Sequence, residues 1–416
     1  MWRIIKNVES ILLNKELHLF IIWEKGREHE LEILKEIEKL FLIKQTFSIT
    51  WSPYYVNRNF TRFYGQNLPL GSHKELHCGS GEFKLIIVED TNPIYENRKT
   101  SKGNRTVNVN MFDTKSKLRK LTGGGHKIHG TDNERETKHD IALLIGLSKK
   151  DFLIEYSKKE NDIKLRQDLV GTNGWKNFDE LFYVLNECSE YIVLRNALNI
   201  NLQYFQKNKG DIDILAKDAS EIKYVLGDID NINQEHLKVD VDKNIILFEV
   251  YQCNQNLYDI KFENDLFNSK ILTNNIYHPN KELEMYVLLY HALLHKVSFE
   301  KKHQERIIER FNQYFDSDKN IEGESLFLLV NYFKEKKYIF IAPNKGYFNF
   351  RPEIKCLLQT NKHREYVISK LIKKIILIKL EGRYLQITIF KFIKKLFSLE
   401  ICLPLFIRFT LHIGLK

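Results

Sequence analysis

The chain has 416 residues, 43% of them hydrophobic and 28% charged, with a formal net charge of +10 at neutral pH. That length exceeds one ordinary core and predicts two folded domains and a tail, and the composition excludes extended disorder. The segment from Asn361 to Lys416 holds twelve Lys or Arg against three Glu, so the first 360 residues are nearly neutral. This excludes a generally basic nucleic-acid binder and assigns any attraction to anions to the tail.

The first residues, MWRIIKNVESILLNKELHLFII, carry acidic groups and lack the apolar segment and small-residue cleavage site of an export signal. Leu17–Trp23 predicts a strand, and Glu28–Leu40, with Leu31, Leu34, Ile37 and Leu40 at helical spacing, predicts a helix. Thr46–Trp51 and Phe83–Val88 predict further strands, the second after the turn signal Gly79-Ser80-Gly81. A polar, basic stretch from Asn97 to Gly125 follows and ends in three glycines. Next comes HKIHGTDNERETKHDIALLIG, in which Asp132 or Asn133 caps a helix running to about Leu147.

His129 lies between that glycine turn and the start of the helix. A helix start offers free N–H donors, an imidazole is a phosphoryl acceptor, and Thr131 and Lys127 are placed to bind phosphate oxygens. The alternative is a polar surface or capping histidine. The segment resembles the nucleoside diphosphate kinase signature: His129, Gly130, Asp132 and Ile141-Ala142-Leu143 match, and Thr131 stands for Ser. The resemblance covers roughly the first 147 residues and implies a ferredoxin-like domain in which His129 transfers phosphate. Three positions depart from it. Trp23-Glu24-Lys25 replaces Lys-Pro-Asp, His126 replaces the Asn before the histidine, and Arg135 replaces a Glu.

The charged segment ending at Lys164 reads as a junction. Beyond it Phe178–Cys188 predicts a helix, Tyr191–Leu194, Asp211–Leu215, Lys243–Val250 and Leu257–Phe262 predict strands, and Glu282–Lys296 a helix. In Gly210–Leu215, GDIDIL, residues Asp211 and Asp213 project from one face of a strand while Ile212 and Ile214 enter the other. Adjacent carboxylates repel unless a cation lies between them, and Mg²⁺ (or Mn²⁺) takes such oxygen ligands, with nucleotide phosphates completing its shell. The alternative is a solvated strand end. His291 and His295, four apart on an apolar helix, read as a packed pair and not as ligands.

The order of YIVLRN, GDIDIL, later strands and KELEMYVLLYHALLHK resembles the bacterial nucleotidyltransferases of the polymerase β superfamily over about 130 residues. The resemblance implies Asp211, Asp213 and Asp259 (in YDIKF) as metal ligands and catalytic groups, with Glu249 as the alternative third carboxylate. Arg195-Asn196 stands where that family has Gly-Gly or Gly-Ser, so Arg195, Asn196 and Gly210 are the expected nucleotide contacts.

The expected architecture is α+β. A ferredoxin-like, nucleoside diphosphate kinase-like domain spans 1–150, a polymerase β-type nucleotidyltransferase domain 165–335, and a basic, apolar-rich region 336–416. After Tyr366 lysines are interleaved with Ile, Leu and Phe. That pattern suits a solvated face over a core or, as the alternative, peripheral contact of 361–416 with an anionic membrane surface. No apolar run reaches the roughly 18 to 20 residues of a membrane span. Five dispersed cysteines without a CxxC or CxxH pair indicate neither a zinc cluster nor a disulfide framework.

The expected activity is metal-dependent nucleotidyl transfer from an NTP to a small phosphorylated or sugar-like acceptor, at the cytoplasmic side. By resemblance, bacterial surface-polysaccharide assembly is the setting. The alternatives are a toxin-like or regulatory enzyme that modifies a protein or tRNA, and a non-catalytic membrane-associated assembly protein. Oligomeric state is not readable from the sequence.

Overall fold

The computed structural model describes residues 15–100, 103–158, 161–208, 210–296, 301–315, 325–341, 376–381 and 384–389. The chain begins with β1 (Glu16–Ile22), a 3₁₀ turn, α1 (Glu30–Ile37), β2 (Leu42–Thr50), α2 (Val56–Tyr64), α3 (His73–Cys78) and β3 (Phe83–Asp90). It continues with a hairpin of β4 (Tyr95–Thr100) and β5 (Gly103–Asn108), then α4 (Val109–Leu121), β6 (Ile128–Gly130), α5 (Glu134–Ile145), α6 (Lys149–Glu155) and β7 (Ile163–Arg166). The first sheet has the order β6-β1-β3-β2-β7. Its four strands β6-β1-β3-β2 pair antiparallel, an arrangement compatible with a ferredoxin-like fold. The added strand β7 runs parallel to β2, so this sheet takes a strand from beyond the expected boundary at residue 150.

The second half holds α7 (Phe178–Cys188), β8 (Tyr191–Val193), α8 (Leu202–Asn208), β9 (Asp211–Ala216), α9 (Ala219–Leu226), β10 (His236–Val241) and β11 (Asn244–Gln252). Then come α10 (Ile260–Asn268), a short hairpin of β12 (Ile271–Thr273) and β13 (Ile276–His278), α11 (Lys281–Tyr290), α12 (Lys301–Phe315) and α13 (Ser325–Lys336). The second sheet has the order β10-β11-β9-β8, and β11 runs parallel to β9. In the tail, β14 (Ile376–Glu381) pairs antiparallel with β15 (Tyr384–Ile389). The remaining tail, including most of the proposed membrane-facing stretch, lies outside the described residues.

The alternation of side chains along each strand stacks these elements into five layers. Phe20 and Ile22 of β1 meet Ile33 and Ile37 of α1 and Met111 and Leu118 of α4 on the outer face of the first sheet. Leu19 and Ile21 point the other way, into a core shared with Phe60 of α2, Ile141 of α5, Leu181 of α7, Ile222 of α9 and Ile212 and Ile214 of β9. Leu215 of β9 faces a third cluster with Phe262 of α10 and Met285 of α11. The middle helices therefore belong to both sheets, and the halves are joined by a continuous apolar layer.

That joint is also polar. Arg62 of α2, fully buried, donates to the carbonyls of Tyr224 (3.3 Å) and Val225 (2.7 Å) and to Thr172 Oγ1 (2.6 Å). The two carbonyls belong to the last turn of α9, where backbone acceptors are unpaired and the helix dipole favours a cation. Burial lowers the guanidinium pKa to about 9, so it remains charged at neutral pH.

Two expectations are corrected here, and one unassigned stretch gains a fold. In α1 the buried positions are Ile33 and Ile37, while Leu31 is 76% and Leu40 56% exposed. The polar stretch from Asn97, unassigned in the sequence, forms most of the β4–β5 hairpin and all of α4, which Asn108 caps by accepting from Met111 N at 3.1 Å. Leu257–Phe262 is not a strand, because Asp259 caps α10 by accepting from the backbone N–H groups of Lys261 (2.8 Å) and Phe262 (3.2 Å). No helix among the described residues is long and apolar enough to cross a membrane.

Candidate active site

In GDIDIL the alternation puts Ile212 and Ile214 into the middle layer and Asp211 and Asp213 on the opposite face. Parallel pairing sets Glu249 of β11 beside Asp213, and antiparallel pairing sets His236 of β10 beside Glu249. Ligand atoms of Asp211, His236 and Glu249 lie within 4.8 Å of one another. The sheet register thus supplies the third carboxylate from Glu249. Asp259, the third carboxylate implied by resemblance, spends its side chain on the cap of α10.

Asp213 is 3% exposed and forms an ion pair with Arg195, which leaves the end of β8. Arg195 engages Oδ2, and the buried Oδ1 has no hydrogen-bond partner among the described residues. Burial and the neighbouring Asp211 hold the Asp213 carboxyl above its ordinary range, against the pull of Arg195. Burial raises Glu249 as well, and Asp213 and Asp211 add to the shift. Arg195 is itself buried, which disfavours its charge, yet Asp213 and the surrounding tyrosines Tyr258 and Tyr251 raise its pKa and keep it cationic.

The turn after β8 carries Asn196 in the left-handed region (φ 57°), a conformation open to Asn as well as to Gly. The missing glycine pair therefore does not prevent the tight turn. A cleft of about 640 Å³ beside it is lined by Ala197, Leu198 and Ile200 together with Phe178, Leu272 and Ile276. Gly210 imposes no close approach, since an added Cβ would meet nothing within 4 Å.

The donor set suits a divalent cation on two grounds. Three carboxylates against one guanidinium leave a formal surplus of two negative charges, and the orphaned Asp213 Oδ1 is a buried oxygen without a donor. Asp211, Glu249 and His236, whose ligand atoms converge, are the residues that would hold it, with Asp213 beside them on the same face.

The second candidate group is in the N-terminal sheet. His129 lies on β6 opposite Ile21, 9% exposed, with the rings of Phe63 and Tyr64 edge-on at 5.2 and 5.9 Å. Its Nε2 is 2.8 Å from Asp140 Oδ2, and Asp140 Oδ1 is 2.9 Å from His139 Nδ1. Donation from Nε2–H to this carboxylate fixes the tautomer and leaves the Nδ1 lone pair as the nucleophilic position. Burial disfavours the charged form of Asp140, yet the hydrogen bonds from His129 and His139 take its pKa below the ordinary value.

Two expected phosphate contacts are engaged inside the fold. Thr131 is fully buried, where its Oγ1 accepts from Leu19 N and Thr137 Oγ1 and meets His18 Nδ1 at 3.2 Å. Lys127 Nζ donates to the Thr122 carbonyl at the end of α4. Asp140 was not anticipated from sequence. Its signal is a lone carboxylate directly before the apolar run Ile141–Leu144, eleven residues beyond His129 on a capped helix.

The residues thus compose an α+β chain with a ferredoxin-compatible sheet bearing a His–Asp pair and a second sheet bearing three clustered carboxylates. In comparisons with known proteins, no family model and no curated protein matches. Among solved structures the chain is similar to an orthorhombic crystal form of the Aquifex aeolicus nucleoside diphosphate kinase, with 16% identity and a TM-score of 0.22. That match covers 31% of this chain and 93% of that one.

Proposed function

We propose that the chain is a metal-dependent nucleotidyltransferase whose centre is Asp211, Asp213 and Glu249. The observation that carries this reading is the register of β9 with β11. It puts Asp211, Asp213 and Glu249 on one face, with His236 within ligand distance of Asp211 and Glu249 and one buried oxygen of Asp213 unpartnered among the described residues. When bound there, Mg²⁺ or Mn²⁺ supplies charge neutralisation for an NTP and for the pyrophosphate leaving group. Arg195 balances part of the carboxylate charge and keeps Asp213 fixed on the strand. Glu249, on the neighbouring strand and not engaged by Arg195, is the carboxylate suited to draw the proton from an acceptor hydroxyl. The acceptor class, a small phosphorylated or sugar-like molecule, rests on the sequence resemblance.

The test is incubation of the full chain with each α-labelled NTP, Mg²⁺ and a panel of sugar phosphates. Label transfer that falls at least ~100-fold in Asp211→Asn, Asp213→Asn and Glu249→Gln supports the reading. Transfer that is indifferent to all three substitutions, or absent across the panel, overturns it.

A second activity is favoured by the 2.8 Å contact between His129 and Asp140. We infer phosphoryl transfer through His129 Nδ1, with Asp140 as the residue that orients the ring. Label from γ-labelled NTP that is acid-labile, alkali-stable and lost in His129→Ala supports this. Stable label in that variant places the phosphate elsewhere.

A further inference from the structure

On the side of the first sheet near α3, three imidazoles converge that neither proposed reaction uses. His73 and His77 are four apart on α3, one turn of helix, so their rings lie on the same face. The rings of His73 and His77 are 4.9 Å apart between centroids, and His126 stands 4.9 Å from the first and 5.6 Å from the second. One nitrogen from each ring lies within 4.8 Å of the other two, and His126 Nε2 is 3.1 Å from His73 Nε2.

His126 is delivered to this face by an unusual piece of backbone. Gly123, Gly124 and Gly125 all have positive φ, at 78°, 86° and 79°. Three consecutive residues in that region are natural only for glycine. A Cβ on Gly125 would lie 3.1 Å from His77 Nδ1, so the glycine leaves this ring close room beside the turn. From the other side the His126 carbonyl is held by Cys78 Sγ, the last residue of α3, at 3.3 Å. The triglycine and α3 thus form the two walls of a three-histidine cluster. Lys74 is the one cation on α3 beside it, and its Nζ lies over the Tyr64 ring.

We propose that His73, His77 and His126 form a binding site for a first-row divalent cation that prefers imidazole nitrogen, Zn²⁺ foremost. Zinc–nitrogen bonds of about 2.0–2.1 Å in a tetrahedral arrangement put ligand nitrogens roughly 3.3 Å apart. The His73–His126 separation already matches this, and small rotations of His77 bring the third nitrogen in. All three ligands are imidazoles, which selects Zn²⁺, Co²⁺, Ni²⁺ or Cu²⁺ over Mg²⁺ and Ca²⁺. Three protein ligands leave the fourth position to water or to an oxygen of an anionic ligand. Since His73 and His77 are exposed, that position is open to exchange. The ion ties α3 to the loop that runs into β6, so its binding stabilises that corner of the fold.

The test uses the full chain carrying Asp211→Asn and His236→Ala, which silences the carboxylate cluster of the second sheet as a competing metal site. Titration with Zn²⁺ alone by calorimetry is expected to give one ion per chain and a rise in melting temperature that Mg²⁺ at equal concentration does not produce. Co²⁺ is expected to show the visible bands of a tetrahedral site. His73→Ala, His77→Ala and His126→Ala should each weaken binding at least ~100-fold, since even the loss of an outer partner of a metal ligand costs about 10- to 100-fold. His73 and His77 are exposed, so their metal-free melting temperatures should match the parent and separate loss of binding from loss of fold. Binding that persists in all three variants, or equal stabilisation by Mg²⁺, overturns the proposal.

Discussion

Arg195 holds one oxygen of Asp213 in a buried ion pair and leaves the other, Oδ1, without a partner among the described residues. Removing one member of such a pair strands a charge away from water, whereas a second cation can take its place. Arg195→Met is therefore expected to lower stability by about 3–5 kcal/mol in urea unfolding. Millimolar Mg²⁺ should restore more stability to this variant than it adds to the parent. A variant as stable as the parent without divalent ions would mean that Asp213 is not charged in the folded chain.

The two candidates for the third carboxylate separate by what each holds. Asp259 accepts two backbone N–H bonds at the start of α10, so Asp259→Ala should cost about 1 kcal/mol of stability. Asp259→Asn retains the cap and should leave both stability and nucleotidyl transfer close to the parent. Glu249→Gln is expected to leave the melting temperature within a few degrees and to reduce transfer at least ~100-fold. The reverse ranking of Asp259→Asn and Glu249→Gln in label transfer would assign the role to Asp259.

The contrast shows which parts of the site were legible. A two-residue period is local, so the common face of Asp211 and Asp213, with Ile212 and Ile214 opposite, is readable from GDIDIL itself. Glu249 becomes a neighbour only through the parallel register of β11 on β9, thirty-six residues further along, and no periodicity within either strand encodes that pairing. YDIKF misled because Tyr258, Ile260 and Phe262 alternate like a strand, while Asp259 is also a preferred helix cap with Phe262 and Leu266 at helical spacing behind it. Likewise α1 offers two apolar stripes, Leu31–Leu34 and Ile33–Ile37, and only the first sheet decides that the second is buried. In the first half β1, α1, β2, β3 and α5 were local and legible, whereas α2, α3, the β4–β5 hairpin and α4 were not read. The shared middle layer was not legible, because it depends on both sheets at once.

Arg62 is the clearest tie between the halves. Its guanidinium satisfies two end-of-helix carbonyls of α9 and a threonine hydroxyl, all buried. Arg62→Met fills much of the same space but leaves those acceptors unpaired, at roughly 1–3 kcal/mol for each buried group that water cannot reach. The expected outcome is a lower melting temperature with earlier protection loss in α9 than in β3 by hydrogen exchange. Uniform loss across both halves would show that the apolar layer alone couples them.

The His129–Asp140–His139 cluster predicts a pH signature with two signs. Asp140 has its pKa lowered, because hydrogen bonds from His129 and His139 outweigh its burial, so its contribution is present above the unfolded carboxyl value and is lost as pH falls through the folded one. His139 is the opposite case. Burial disfavours its charge, but the Asp140 bond and charge raise its pKa above 6.5, so its contribution is complete below 6.5 and is lost as pH rises through the folded value. Across that upper window stability should decline by up to ~1.4 kcal/mol per pH unit. Urea melts from pH 6 to 8.5 measure the slope, and His139→Gln, which keeps a donor but cannot titrate, should flatten it. An unchanged slope in that variant would assign the titration to another group and leave Asp140 paired with a neutral His139.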